Sequence, residues 1–211
     1  MTPQLKNRGT DSSNRPGRRP ATSREELEEV AFELFQANGF EETSVDDIAR
    51  RAGIARRTFF RYFDSKNDVV WGAFDEQLHR MRREFLDRPG DQALMDAIRT
   101  VVVACNRVEP GEEARHRRRL ELIMGVPVLQ AYSTLRYAEW RAVIAEFAAG
   151  RLGPEADSLL PRSLAHAVLG VALAAHEHWL ERPESDLCAV LDSALRQLAR
   201  GFHMADNPGW C

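Results

Sequence analysis

Cysteine is scarce in this sequence: Cys105, Cys188 and Cys211 are the whole complement, and no motif spacing relates them. That density excludes a disulfide framework and fits a reducing, cytoplasmic setting. Long hydrophobic runs are missing as well. The longest uninterrupted apolar stretch, Ala167 to Ala175, falls far short of the roughly 18 residues that a membrane span requires. No apolar signal region opens the chain, so neither export nor membrane insertion is expected. A Gly-rich phosphate loop, a nucleophile elbow and a Cys-x-x-Cys pair are all absent. The motif-borne enzyme chemistries therefore have no foothold, and no cofactor is implied.

What is present is a chain of 211 residues, 44% hydrophobic, long enough to bury a sizeable core. Its net charge of −3 hides a strong asymmetry. Residues 1–24 carry Lys6, Arg8, Arg15, Arg18, Arg19 and Arg24 against Asp11 alone. Residues 48–66 carry Arg50, Arg51, Arg56, Arg57, Arg61 and Lys66 against Asp64 alone. Two positive patches at one end of an acidic chain point to a polyanion-binding end and a different task for the rest.

Residues 1–22 are rich in Asn, Ser, Gly, Pro and Arg, which predicts a disordered basic arm. Ser23 with Glu26 forms a capping box ahead of Leu27, Val30, Ala31, Leu34 and Phe35, apolar at helical spacing until Gly39. Ser44 with Asp47 repeats the device for a short second helix. Gly53 turns the chain into a third, over about 55–63. Three helices with a tight glycine turn between the last two read as a helix-turn-helix unit. From Lys66 onward the pattern is helical throughout, with no strand alternation. One helix is expected from Lys66 to Pro89, and others over about 91–108, 112–124, 128–151, 158–181 and 185–203. The fold class is all-α: a three-helix helix-turn-helix domain over 23–66, a helical bundle over 67–205 and a tail over 206–211, about nine helices in total.

The stretch GIARRTFFRYF, residues 53 to 63, needs both a core and an anion. On a helical wheel, Phe63 falls about 40° from Phe59, whereas Arg57 and Arg61 fall about 160° and 200° away. The phenylalanines can anchor the helix while the arginines face out, with Arg56, Thr58, Phe60 and Tyr62 on the flanks. A helix presented this way can enter the major groove of double-stranded DNA.

The run TSVDDIARRAGIARRTFFRYFDSKNDVV closely resembles the signature of the TetR family of bacterial transcriptional regulators. The resemblance implies that Ser44, Arg56, Arg57, Thr58, Phe60, Arg61, Tyr62 and Lys66 face operator DNA, with Ser44 and Lys66 on phosphates. It also implies a homodimer through the last two long helices, reading an inverted repeat. Those helices carry Leu160, Leu164, Ala167, Val168, Val171, Ala175 and Trp179, then Leu187, Leu191, Ala194, Leu195, Leu198 and Phe202. The segments GIARRTFFRYFDSKNDVVWGAFD and HRRRLELIMGVPVLQAYSTLRYAEWRAVIAEFAA resemble the subgroup that accompanies mycofactocin biosynthesis genes. That subgroup implies a repressor released by long-chain acyl-CoA.

An acyl chain needs apolar walls, which Phe74, Leu78, Ile98, Val102, Leu122, Ile123, Trp140, Ile144 and Leu173 could supply. Phosphates need cations, and RHRRR offers Arg115, His116, Arg118 and Arg119. A different small hydrophobic inducer is the alternative. Two other chemistries have a trace in the sequence. Glu76-x-x-His79 and Glu113-x-x-His116 carry the spacing of di-iron helical-bundle enzymes. The first faces away from its apolar stripe and the second sits among arginines that repel a cation, so chance spacing is the better reading. Cys105 or Cys188 could sense oxidants if a neighbouring cation such as Arg107 lowered a thiol pKa, though free cysteine in apolar helices is usually packing.

Overall fold

The computed structural model describes residues 23–153 and 159–201, which form ten α-helices and, among those residues, no strand. The expected basic arm over 1–22, the tail over 206–211 and Phe202 lie outside the described residues. The first three helices are α1 (Arg24–Asn38), α2 (Val45–Arg51) and α3 (Arg56–Phe59). Both capping boxes form. Ser23 Oγ accepts from the Glu26 amide at 3.1 Å, and Ser44 Oγ accepts from the Asp47 amide at 3.2 Å. Each acidic side chain accepts in return from the serine amide at 3.0 Å. Two otherwise orphaned donors are thereby satisfied at each helix start.

The third helix is shorter than the expected 55–63. It is α-helical for four residues, after which the amides of Arg61 and Tyr62 switch to carbonyls three residues back. This tightened turn still delivers Phe63, whose amide reaches the Phe59 carbonyl at 3.1 Å. Phe59 and Phe63 are buried at 0% and 3% exposure, packed with Leu27, Ala31, Phe35 and Ile48.

The single helix expected from Lys66 to Pro89 is two: α4 (Lys66–Trp71) and α5 (Phe74–Leu86). Gly72 makes the break, at φ 53° and ψ −129°, a region that side chains with a Cβ avoid. A Cβ added there would overlap the Arg119 guanidinium, and the Gly72 carbonyl accepts from Arg24 Nη2 at 2.8 Å. That break accounts for ten helices where the periodicity suggests nine.

The remainder is a bundle of α6 (Leu94–Cys105), α7 (Glu113–Gly125), α8 (Pro127–Leu152), α9 (Leu159–Glu181) and α10 (Leu187–Ala199). One hydrophobic core runs from Leu27 in α1 through Val69, Val70 and Trp71 in α4 to Ile144 in α8 and Leu195 in α10. A satellite cluster joins Ala172, Ala175 and Trp179 of α9 to Leu187 and Leu191 of α10. By length and composition alone α9 could cross a membrane, with a mean hydropathy of 1.3 over its most apolar window. Here it packs beside α8 and α10, burying Val168, Leu169, Ala172, Ala175 and Trp179. Of the apolar stripe residues outside that buried edge, Leu160 is exposed and Leu164, Val171, Ala194 and Leu198 are half-buried.

Candidate nucleic-acid interface and ligand cavity

With Phe59 and Phe63 fixed in the core, Arg56, Arg57 and Arg61 lie on the exposed side of the α3 turn, and Phe60 is 41% exposed beside them. Thr58 and Tyr62 are half-buried on its flanks. Arg56 pairs with Asp46 of α2 at 2.7 Å and lies over the Phe60 ring. The Arg61 guanidinium lies over the Tyr62 ring and donates to its hydroxyl at 3.2 Å. Arg57 has no side-chain partner among the described residues, so its five donors are open to an external acceptor. Ser44, at the α2 N-terminus, is exposed beside this surface.

Lys66, expected on a phosphate, has its ammonium engaged within the fold. Its ammonium donates to the carbonyls of Phe40, Glu41 and Thr43 at 2.7, 3.0 and 2.9 Å and sits over the Phe40 ring. An ammonium has three N–H donors, and all three are engaged here. Burial holds its pKa below the usual lysine range. The side chain ties the start of α4 to the loop between α1 and α2.

Two polar bridges join this unit to the bundle. Arg119 of α7 donates to Glu28 of α1 at 2.7 Å, and its guanidinium also lies over Phe32 and against Gly72. Arg115, one turn away, reaches Glu29 at 3.7 Å. On the other side, Arg136 and Tyr132 of α8 both donate to Asp68 of α4, the arginine at 3.0 Å. Burial pushes the Asp68 carboxyl up, but hydrogen bonds from Tyr132, Ser65 and Arg136 outweigh it and hold it below the usual range.

Arg119 also lines a cavity of about 170 Å³. Trp71, Phe74, Ile123, Tyr137, Trp140, Leu169 and Leu173 give it apolar walls. Gln77, Asn106, His116, Arg119 and His176 are its polar groups. His116 Nε2 is buried with no hydrogen-bond partner. Burial, helped by His176 and Arg119, lowers the His116 pKa to about 4. Burial likewise lowers that of His176, whose Nδ1 lies 2.7 Å from the Ala172 carbonyl and whose Nε2 lies 3.2 Å from Asn106 Oδ1. Both imidazoles are therefore neutral near pH 7.

Of the side chains expected to line a ligand site, Phe74, Arg119, Ile123, Trp140, Leu173 and His116 meet at this cavity. Leu78, Ile98, Val102 and Ile144 do not. They are buried in the continuous core, because core and cavity wall share one apolar spacing. Leu122 packs half-buried against that core. The arginine cluster splits by face. Arg115 lines an adjoining outer pocket, and Arg118 is exposed outside both cavities. Arg117, between them, donates to the carbonyls of Trp179 and Pro183. Sequence reasoning missed Trp71, Tyr137, Gln77, Asn106 and His176 at the cavity; no local spacing signals side chains that converge from five helices.

The two alternative chemistries find little support. Among the described residues no group of three or more His, Cys, Asp or Glu side chains gathers where it could hold a metal ion. Glu76, His79 and Glu113 are exposed, while His116 turns into the cavity. Arg80, not Arg107, neighbours Cys105, and Arg107 neighbours Cys188. Burial pushes both thiols up, opposite to what a reactive thiolate needs.

Comparison with known proteins supplies a second line. Residues 28–70 match the family described as bacterial regulatory proteins, tetR family, and residues 92–203 match the MftR C-terminal domain. MftR of Mycobacterium tuberculosis, named as a candidate regulator of mycofactocin biosynthesis, is 44% identical over 90% of this chain and 96% of its own length. Among solved structures, FadR of Thermus thermophilus in complex with lauroyl-CoA superposes with a TM-score of 0.53 at 23% identity, covering 90% of this chain and 100% of that one. FadR of Bacillus subtilis in complex with stearoyl-CoA gives 0.57 at 19% identity, covering 84% and 98%. At such identities these likenesses speak for the fold alone.

Proposed function

Because this chain belongs to the TetR family of bacterial transcriptional regulators, with a C-terminal region of the MftR type, we propose that it is a dimeric repressor released from operator DNA by a ligand in the bundle. The observation that carries this reading is the double engagement of Arg119: one guanidinium lines the cavity and holds Glu28 of α1. A ligand that binds better when that arginine is displaced shifts the population toward a state whose α3 turns no longer match the operator. Arg56, Arg57, Thr58, Phe60, Arg61 and Tyr62 are the proposed DNA contacts, with the α2 start at Ser44 on a phosphate. Lys66 positions the unit instead of touching DNA.

Dimerisation is assigned to α9 and α10. A wide groove lined by Gly170, Val171, Ala174, Ala189, Val190 and Ala194 runs between them. Small side chains there would let helices of a second copy approach closely, and a twofold dimer implies an inverted-repeat operator. The protein acts in the cytoplasm, where its DNA is. The target we assign is the mycofactocin biosynthesis genes, a reading supported by the resemblance to MftR.

The inducer we assign is a long-chain acyl-CoA, supported by the apolar walls and by the acyl-CoA complexes of the two FadR neighbours. A second reading, a smaller hydrophobic inducer, is favoured by the cavity volume of about 170 Å³. That is below the ~300–1,000 Å³ usual for sites of drug-sized ligands, so a long chain must widen it. The test is binding to DNA upstream of the chain's own gene cluster across a salt series, with oleoyl-CoA or free coenzyme A. Selective binding abolished by oleoyl-CoA alone supports both halves of the proposal. Selective binding unmoved by oleoyl-CoA keeps the regulator and discards that inducer, and no selective binding at low salt discards the regulator.

A further inference from the structure

The cavity has a neighbour. A second pocket of about 190 Å³ opens on the protein surface, and Gln77, Asn106 and His116 line both spaces. Its outer walls carry Arg80 from α5, Arg107 from the loop after α6, and Arg115 from α7. Arg80 and Arg107 are exposed and have no carboxylate partner among the described residues. Arg115 is shared loosely between Glu112 at 3.5 Å and Glu29 at 3.7 Å. Glu112 is the one acid lining the pocket, against three arginines. Three cations on separate elements, converging on one opening beside an apolar cavity, are unlike a solvated charge run along one helix. Guanidinium groups match phosphate with paired N–H donors.

We infer that this outer pocket is a head-group site, which takes a phosphate-bearing group on Arg80, Arg107 and Arg115 while the attached apolar chain enters the inner cavity. The inference rests on the acyl-ligand reading above and gives it a polarity. It also gives the buried, unpartnered His116 Nε2 a partner. At the junction of the two pockets the neutral imidazole, in its Nε2–H tautomer, donates to the carbonyl that links head and chain. Gln77 and Asn106 flank the junction, each with one amide N–H on a backbone carbonyl, Cys105 at 3.2 Å and Val102 at 2.8 Å, and a second N–H to offer a ligand beside that of His116. The arrangement differs from the one suggested by the RHRRR run. Arg119 is engaged with Glu28, Arg117 with backbone carbonyls and Arg118 faces away, so the head-group cations come largely from outside the cluster.

The test uses the full chain, with binding read from quenching of its tryptophan emission, since Trp71 and Trp140 line the cavity. The probes are oleoyl-CoA, 1-oleoyl lysophosphatidic acid and oleate. The Arg80→Ala/Arg107→Ala double variant should bind the preferred phosphate-bearing probe at least tenfold more weakly, with oleate affinity within twofold of the parent. Arg118→Ala should change neither, and Arg80→Lys/Arg107→Lys should recover much of the loss. Preference for oleoyl-CoA identifies a nucleotide thioester as the source of the phosphates; preference for the lysophosphatidate identifies a phospholipid. Either supports the site. A double variant that binds both phosphate-bearing probes like the parent overturns the head-group site and leaves the acyl reading standing, as does an equal loss toward oleate. A parent chain that binds none of the three overturns both.

Discussion

Glu28 and Arg119 are separated by 91 residues of sequence and meet at 2.7 Å, the carboxylate on the first helix and the guanidinium on the wall of the cavity. Glu28 is 7% exposed, an unusual position for an acid without a partner. The pair is thus a place where the DNA-binding unit and the ligand domain share one electrostatic contact. Glu28→Gln should weaken operator binding and strengthen inducer binding, because both ligands draw on one equilibrium between two states. Its cost in stability should be about 1–3 kcal/mol, below the ~3–5 kcal/mol of a fully buried pair since Arg119 keeps part of its exposure. Matched titrations of DNA and inducer on both proteins check this. A fall in DNA affinity with no gain in inducer affinity would reduce the pair to a structural clasp.

Gly72 sits on the same contact. Gly72→Ala places a Cβ in left-handed backbone and against Arg119, so it should cost about 1–3 kcal/mol. Because Arg119 must move to make room, the variant should also resemble Glu28→Gln in its response to inducer. Thermal unfolding gives the first number and the inducer titration the second. Stability loss with an unchanged inducer response would separate the strain at Gly72 from the relay through Arg119.

Arg57 and Lys66 stand a few residues apart, carry the same charge and should fail in opposite ways. Arg57→Ala removes an exposed, unpartnered guanidinium. It should leave unfolding unchanged and weaken operator binding by about 1–3 kcal/mol if it reads a base, with relaxed preference at one position. A loss equal on all sequences would make it a phosphate contact only. Lys66→Met strips the donors from three carbonyls and should lower stability by about 1–3 kcal/mol. Salt dependence of DNA binding should be unchanged for the folded fraction of the Lys66 variant, and a flatter slope for the Arg57 variant would mark Arg57 as a phosphate contact.

The contrast between those two residues marks where sequence stops informing. Ser23, Ser44, Phe59 and Phe63 were legible because each depends on partners three or four residues away, the range over which a helix repeats. Lys66 was not, since its carbonyl partners lie 23 to 26 residues back and reach it only through the fold. The break at Gly72 was masked because the apolar stripe of Val70, Phe74 and Leu78 continues across it. At the ligand site, Trp140 and Ile144 follow the same spacing on α8, yet only Trp140 reaches the cavity. Apolar periodicity says which face turns inward; it carries no information on whether that face meets a neighbour or a void.

His116 supplies a test of the cavity that needs no ligand. Its folded pKa of about 4 lies below the ordinary 6.5, because burial, His176 and Arg119 all oppose the charged form. The unfolded chain therefore binds the extra proton first as pH falls. Stability from this group is fully present above pH 6.5 and is lost between 6.5 and about 4. At about 1.4 kcal/mol per pH unit, the loss across that window approaches 3 kcal/mol. His176, also depressed by burial, adds in the same direction. Urea midpoints measured from pH 7.5 down to pH 4.5 should therefore fall more steeply for the native chain than for His116→Phe. The phenylalanine variant should retain its stability at neutral pH, since it fills the space without a buried, unpartnered nitrogen. Equal slopes for the two proteins would mean that His116 is solvated in the folded state and that the cavity beside it is open to water. An acyl chain would then enter a wet cleft, and His116 Nε2 would gain little from a ligand carbonyl because water already serves it.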